Sequence, residues 1–253
     1  MTILLVVVYG AASLTAWIVS NRIIFLPDYA SRAEAPGTFY LKMSDGTKVG
    51  AVHLRNTQAR FTLWYFHGNA ESLDDVMPRL IELRDLGFSV FALEYPGYAT
   101  SEGSPSESSL NASTAEGFDY LREHGVASEL LVLFGRSLGS GPAVELASHH
   151  RFAGLILESA FMSVYRVVTH WPVLLGDRFN NVRKIRGIGC PTLLIHGRDD
   201  HTIPFYHGEG LEGASAAVIK RRLWIQFAGH NDVRRWAGDS YVETVRSFLA
   251  ELR

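Results

Sequence analysis

One long apolar run opens the chain and eight short ones follow it, most of them separated by segments with helical spacing. Ile3 to Val19 contains no charged residue. The short runs are Thr38–Met43, Val49–Leu54, Phe61–Phe66, Phe88–Leu93, Leu130–Phe134, Gly154–Leu157, Pro191–Gly197 and Leu223–Phe227. Their length and β-branched or aromatic content predict strands. The first two flank Asp45-Gly46, a strong hairpin signal, so the sheet begins antiparallel. Leu73–Leu86, Leu110–His124, the stretch beginning near Gly208–Leu211, and Ser240–Leu252 carry apolar residues at helical spacing. Strands alternating with helices imply right-handed crossovers and an α/β fold, a mostly parallel sheet with helices on both faces. The alternation breaks between Ala160 and Gly189, where Phe161, Met162, Tyr165, Trp171 and Phe179 precede the basic Arg183-Lys184-Arg186; this segment, about 160–189, reads as a small cap.

The fifth short run ends abruptly in Gly135-Arg136-Ser137-Leu138-Gly139, followed by the small residues Ser140-Gly141-Pro142-Ala143. Strand, tight turn and helix around Gly-x-Ser-x-Gly form the nucleophile-elbow pattern, which lifts a serine hydroxyl above the sheet. The helix that follows directs its N-terminal amides at the same place, where they favour developing negative charge. A serine hydroxyl is a weak nucleophile until a base takes its proton, and that base needs a third group to fix its tautomer. Asp200 and His230 each follow a predicted strand at the edge where open parallel sheets build their sites. Asp199 competes with Asp200 for the acid role, and Glu158, after the strand beyond the elbow, is a further candidate. The loop His67-Gly68-Asn69 and the residue after the serine offer the oxyanion hole, through the amides of Asn69 and Leu138. His67 itself reads as a residue that fixes this loop rather than one that carries a proton.

Composition narrows the partners. The chain has 253 residues, 47% of them hydrophobic, and a net charge of −2 without a long basic run, so it suits one globular domain and gives no electrostatic footprint for nucleic acid. The expected partner is a small-molecule or acylated substrate, and no metal or other cofactor is implied. The single cysteine, Cys190, excludes a disulfide framework and reads as a small buried hydrophobe. Nothing in the pattern specifies an oligomeric state. The opening run is long enough to reach across hydrocarbon at the low end of the usual range. Residues 1–22 are therefore expected to be an N-terminal membrane anchor or an uncleaved signal; a cleaved signal peptide and a helix docked on the domain are the rivals. Arg22 and Arg32 follow the run, and the positive-inside rule then puts the main domain in the cytoplasm, with a periplasmic or secreted location as the alternative.

The motifs His67-Gly68-Asn69-Ala70, Tyr95-Pro96-Gly97-Tyr98, Gly135-Arg136-Ser137-Leu138-Gly139, His196-Gly197-x-x-Asp200-x-x-Ile203-Pro204 and Gly229-His230-Asn231-Asp232 occur in that order. Together, over about residues 36–253, they resemble the α/β-hydrolase superfamily. More narrowly they resemble its membrane-associated branch, which includes eukaryotic protein depalmitoylases and bacterial relatives. The resemblance implies an α/β-hydrolase domain over 36–253 with Ser137, Asp200 and His230 as catalytic triad, the acid falling three residues after the glycine. It implies a serine hydrolase that cleaves an ester or thioester through an acyl-enzyme. A peptidase or amidase on the same triad and a membrane-tethered binding protein without catalysis are the alternatives. Ala99 stands where the family usually has glycine, and the palmitoylated N-terminal cysteines of the eukaryotic enzymes have no counterpart here.

Overall fold

The computed structural model describes residues 2–169 and 175–252. Trp171, one of the aromatics expected in the cap, lies outside the described residues. After an N-terminal helix α1 (Thr2–Ile24), the chain forms β1 (Phe39–Lys42), β2 (Lys48–Leu54), β3 (Thr62–Phe66), α2 (Leu73–Asp85), β4 (Ser89–Leu93) and α3 (Glu107–Glu123). It continues through β5 (Leu131–Arg136), α4 (Ser140–His149), β6 (Gly154–Glu158), the short helices α5 (Val164–Thr169) and α6 (Asn181–Lys184), and β7 (Thr192–Gly197). The chain closes with α7 (Tyr206–Ala214), β8 (Lys220–Ile225), α8 (Val233–Ala237) and α9 (Asp239–Ala250). The strands form one eight-stranded sheet in the order β1-β2-β4-β3-β5-β6-β7-β8. Only β2 runs against the rest: it pairs antiparallel with β1 and β4, and every other pairing is parallel.

The central strands are buried on both faces, which is why they read as unbroken apolar runs rather than as alternating ones. Period-2 geometry sends Leu63 and Tyr65 of β3 and Val132 and Phe134 of β5 into one core, with Leu80 and Leu83 of α2 and Val245 and Phe248 of α9. Trp64, Phe66, Leu131 and Leu133 point the other way, into a second core with Phe118 and Leu121 of α3 and Val144 of α4. Helix α2 starts where Ser72 and Asp75 close a capping box, and α3 starts at a second one formed by Ser106 and Ser109, three residues ahead of the apolar spacing that announces it.

The last strand departs from its expected limits. It begins at Lys220 and ends at Ile225, with Lys220, Arg221 and Arg222 exposed. An edge strand tolerates such a charged row, and its polarity hides the start of the strand from a hydrophobicity count. Phe227, expected inside the strand, instead adopts φ 63° in the turn beyond it and is largely exposed.

The order of the strands locates the site. The chain runs outward from β3 to β4 and then returns to the other side of β3 at β5, so connections leave β3 and β5 in opposite directions. Open α/β sheets bind their ligands in the crevice at such a switch point, beyond the carboxyl ends of the strands. The loop His67–Asn69 leaves β3 there, and Ser137 follows β5.

Candidate active site

Ser137 sits at φ 49°, in the left-handed region that a non-glycine residue rarely occupies. The elbow glycines serve a different purpose from the one their freedom suggests, because neither has a positive φ. A Cβ on Gly139 would lie 2.1 Å from the Phe66 carbonyl oxygen, and one on Gly135 would lie 2.7 Å from that of Gly139. The glycines clear space for backbone to pass backbone, while the strain falls on the serine. The Ser140 hydroxyl donates to the Ser137 carbonyl at 2.7 Å and ties the turn to the start of α4.

His230 brings the expected residues together. Its Nε2 lies 2.9 Å from Ser137 Oγ, and its Nδ1 lies 2.7 Å from Asp200 Oδ2. The other carboxylate oxygen accepts the backbone N–H groups of Thr202 at 2.9 Å and Ile203 at 2.7 Å. Burial of Asp200 would raise its pKa, but hydrogen bonds from His196 and His230, the charge of His230 and the Ile203 amide outweigh that and hold the carboxyl well below its usual range. Neighbouring Asp199 is exposed, its backbone N–H bonded to the Ala228 carbonyl. Glu158 is engaged elsewhere: its carboxylate accepts the Tyr241 hydroxyl and lies 3.8 Å from both Arg79 and Arg136.

Two loops carry the remaining parts, and a network that sequence reasoning missed fixes both. The half-buried guanidinium of Arg136, between the elbow glycine and the serine, pairs with Glu71 at 2.7 Å and donates to Asn231 Oδ1 at 2.6 Å. Glu71 in turn accepts the Gly68 N–H at 2.7 Å, so one arginine braces the β3 loop against the His230 loop. Asp232 closes the latter by accepting the Gly229 N–H at 2.7 Å. The tyrosines of Tyr95-Pro96-Gly97-Tyr98 hold the β3 loop from the other side: Tyr95 donates its hydroxyl to the His67 carbonyl at 2.7 Å and Tyr98 to the Asn69 carbonyl at 2.8 Å. The next residue, Ala99, takes φ 45°, the conformation for which glycine is suited, and bears a strain of about 1–2 kcal/mol.

His67 is fully buried, with Nδ1 2.8 Å from the Gly68 carbonyl oxygen and Nε2 in ionic contact with the buried Glu94 at 2.9 Å. Glu94 also accepts the Leu73 N–H at 2.8 Å. Burial alone would lower the imidazole pKa; the Glu94 charge and hydrogen bond reverse this and raise it above 6.5. Glu94→Ala would remove the counter-charge of the protonated His67 and leave the buried Leu73 N–H without its acceptor, and is expected to cost about 1–3 kcal/mol of stability where His67 is protonated. A raised native pKa contributes stability that is complete below the unfolded value and lost as pH rises through the native one. The gap between wild type and variant should therefore narrow with rising pH in denaturant titrations; a gap constant from pH 5 to 9 would disprove the ion pair. The signal that could have found Glu94 and Arg136 is positional, since Arg136 ends β5 and Glu94 directly follows β4, both beside the site.

Ser137, Leu138, Asn69, Phe161, Val164, Val167, Thr202 and Ile203, with Ile23 and Ile24 of the N-terminal helix, line a cavity of about 220 Å³. It is smaller than a drug-sized pocket and mostly apolar, suited to a narrow chain. Phe179 of the expected cap does not reach it; fully buried, it packs on Gly141 of α4. Cys190 is half-buried and burial pushes its thiol up to about 11, in keeping with a small hydrophobe. Among the described residues no group of three or more His, Cys, Asp or Glu is disposed to hold a metal ion.

Helix α1 is apolar over a length that could cross a membrane, and only 11% of its most hydrophobic window is buried. That exposure separates it from the core helix of a soluble domain, which would bury the same residues.

The sequence profile of the alpha/beta hydrolase fold matches residues 62–182. Alpha/beta hydrolase domain-containing protein 17B of Xenopus laevis is 33% identical over 231 residues, 88% of this chain and 78% of that one. Alpha/beta hydrolase domain-containing protein aho-3 of Caenorhabditis elegans is 39% identical over 198 residues, 76% of this chain; the match spans only 58% of that relative's length. Among solved structures, an esterase from Pyrococcus furiosus superposes with a TM-score of 0.73 at 15% identity, covering 85% of this chain and 90% of that one. A monoacylglycerol lipase from Paleococcus ferrophilus gives 0.63 at 18% identity, covering 79% and 98%. Fold, motif order and relatives converge, and the chain belongs to the α/β-hydrolase superfamily.

Proposed function

We propose that the protein is a serine hydrolase that cleaves the ester or thioester bond of an acyl substrate through an acyl-enzyme. The observation that carries this reading is the relay from Asp200 Oδ2 through His230 to Ser137 Oγ, at 2.7 and 2.9 Å. His230 Nε2 takes the Oγ proton as the oxygen attacks the carbonyl carbon, and the carbonyl π pair moves onto its oxygen. The amides of Asn69 and Leu138 receive that oxyanion. Collapse of the tetrahedral adduct expels the alcohol or thiol, which leaves with the proton returned by His230. Water, deprotonated by the same imidazole, then attacks the acyl-serine, the acyl C–Oγ bond breaks to release the acid, and Ser137 Oγ recovers the proton from His230. Asp200 keeps the proton of the neutral imidazole on Nδ1 and stabilises the cation formed in each half-reaction.

The apolar lining of the cavity beside Ser137 favours an acyl chain as the bound group. Residues 36–253 act as the hydrolase domain on this reading, with 160–189 as its cap, and residues 1–22 as a retained membrane anchor. The positive-inside rule, applied to Arg22 and Arg32, favours a cytoplasmic hydrolase domain on this reading. The test is a fluorophosphonate probe applied to the full chain in mild detergent, with the adduct mapped by mass spectrometry. Modification confined to Ser137, together with faster cleavage of p-nitrophenyl esters than of the matching anilides, is the expected result. A folded chain that the probe leaves unmodified would overturn the assignment and favour a binding protein.

A further inference from the structure

The end of helix α1 does more than lead into the domain. Ile24 and Phe25 are buried, and together with Leu138, Phe161, Phe179 and Ile203 they form a small core above the sheet. The bonds around them fix the helix end against the β3 loop. Asn69 Nδ2 donates to the Ile24 carbonyl at 3.1 Å, one of the helix-end carbonyls that has no partner within the helix. The Leu26 N–H lies 3.2 Å from the Asn69 carbonyl and 3.0 Å from the Tyr98 hydroxyl. One turn back, the buried guanidinium of Arg178 donates to the Trp17 carbonyl at 3.0 Å and to the Asn21 side chain, and it lies over the Trp17 ring at 4.9 Å.

Seated in this way, Ile23 and Ile24 stand in the wall of the cavity that contains Ser137. Ile24 is 7% exposed and Ile23 61%, so the first lies deep and the second stands at the mouth. From Ile23 backwards the hydrophobic side chains Val19, Ile18, Leu14 and on to Leu4 are each at least 44% exposed, and the one charged residue of the helix, Arg22, is exposed beside Ile23. On the face that carries Ile23, Val19, Ala16 and Ala12 follow at i−4, i−7 and i−11 and continue an apolar stripe from the cavity wall toward the surface that a bilayer would cover.

We infer that Ile23 and Ile24 form a chain-length-determining wall of the acyl pocket, and that an acyl chain attached at Ser137 leaves the cavity along Ile23 into the lipid surrounding helix α1. The anchor is then part of the substrate site, and the preferred substrate is a long-chain acyl group drawn from a membrane. This inference rests on the serine hydrolase reading above.

The test uses the full chain in phosphatidylcholine vesicles and the ratio of kcat/KM for p-nitrophenyl dodecanoate to that for p-nitrophenyl butyrate. Loss of hydrophobic contact in a pocket typically costs tenfold or more, so Ile23→Ala should lower the ratio by about tenfold. Ile23→Asn should lower it further, and since Ile23 is exposed neither variant strains the fold. Val8→Ala, equally exposed but far from the cavity, should leave the ratio at the wild-type value. A short-chain fluorophosphonate reports Ser137 separately. An unmodified wild type would overturn the hydrolase reading; a modified wild type whose ratio Ile23→Ala and Ile23→Asn leave unchanged, or lower no more than Val8→Ala does, would overturn this inference alone.

Discussion

Ser137→Ala is expected to lower kcat for a p-nitrophenyl acyl ester by about 10⁵- to 10⁶-fold, the scale on which serine hydrolases lose turnover when the nucleophile is removed. The substitution deletes one atom, Oγ, and with it the 2.9 Å contact to His230 Nε2. The φ of 49° costs alanine about what it costs serine, and the glycines that clear the backbone crossing are untouched. Stability should therefore change by less than about 1 kcal/mol, a shift of a few degrees in Tm. Residual hydrolysis above the background rate is expected, since the oxyanion donors and the pocket remain. Steady-state kinetics on freshly purified protein, with Tm measured on the same sample, would decide the matter. A stable variant that retained a tenth of wild-type turnover would remove Ser137 from the chemistry.

Much of this site is legible in the sequence because its parts sit where strands end. The run Leu131–Phe134 is apolar since both faces of β5 are covered, and the glycines that follow mark the point where backbone must pass backbone. Position after a strand likewise brings forward Asp200 and His230, together with Asp199, Glu158 and His67, and the resemblance to the hydrolase motifs is what selects Asp200 among the acids. The rest depends on tertiary neighbours that no local pattern encodes. Arg136 reads as an arbitrary residue inside a motif until the fold sets Glu71 on one side of it and Asn231 on the other, 65 and 95 residues away. Helix α1 presents the same composition whether it is cleaved, inserted or packed, and only its bonds to Asn69 and Arg178 tie its end to the site. The opening half of β8 is hidden by its three basic residues, because an edge strand needs apolar residues only where it meets the core.

Asp200→Asn should reduce turnover by about 10⁴-fold while leaving the protein folded. The reason lies in what holds each oxygen. Oδ1 accepts two backbone N–H groups, at 2.9 and 2.7 Å, so an asparagine in this place must keep its carbonyl oxygen there; the flipped amide would set NH₂ against two donors. Its NH₂ then falls where Oδ2 was, 2.7 Å from His230 Nδ1, and requires that nitrogen to accept. The imidazole proton moves to Nε2 and points at Ser137 Oγ, where a base is needed and a donor now stands. The imidazolium formed on attack would also lose its counter-charge. Asp199→Asn provides the internal comparison, since that carboxylate is exposed and contributes no contact to His230; its turnover should stay within about twofold of wild type. If the two variants lost activity equally, or Asp200→Asn kept a tenth of it, proton transfer in this protein would not depend on the orientation that Asp200 imposes on His230.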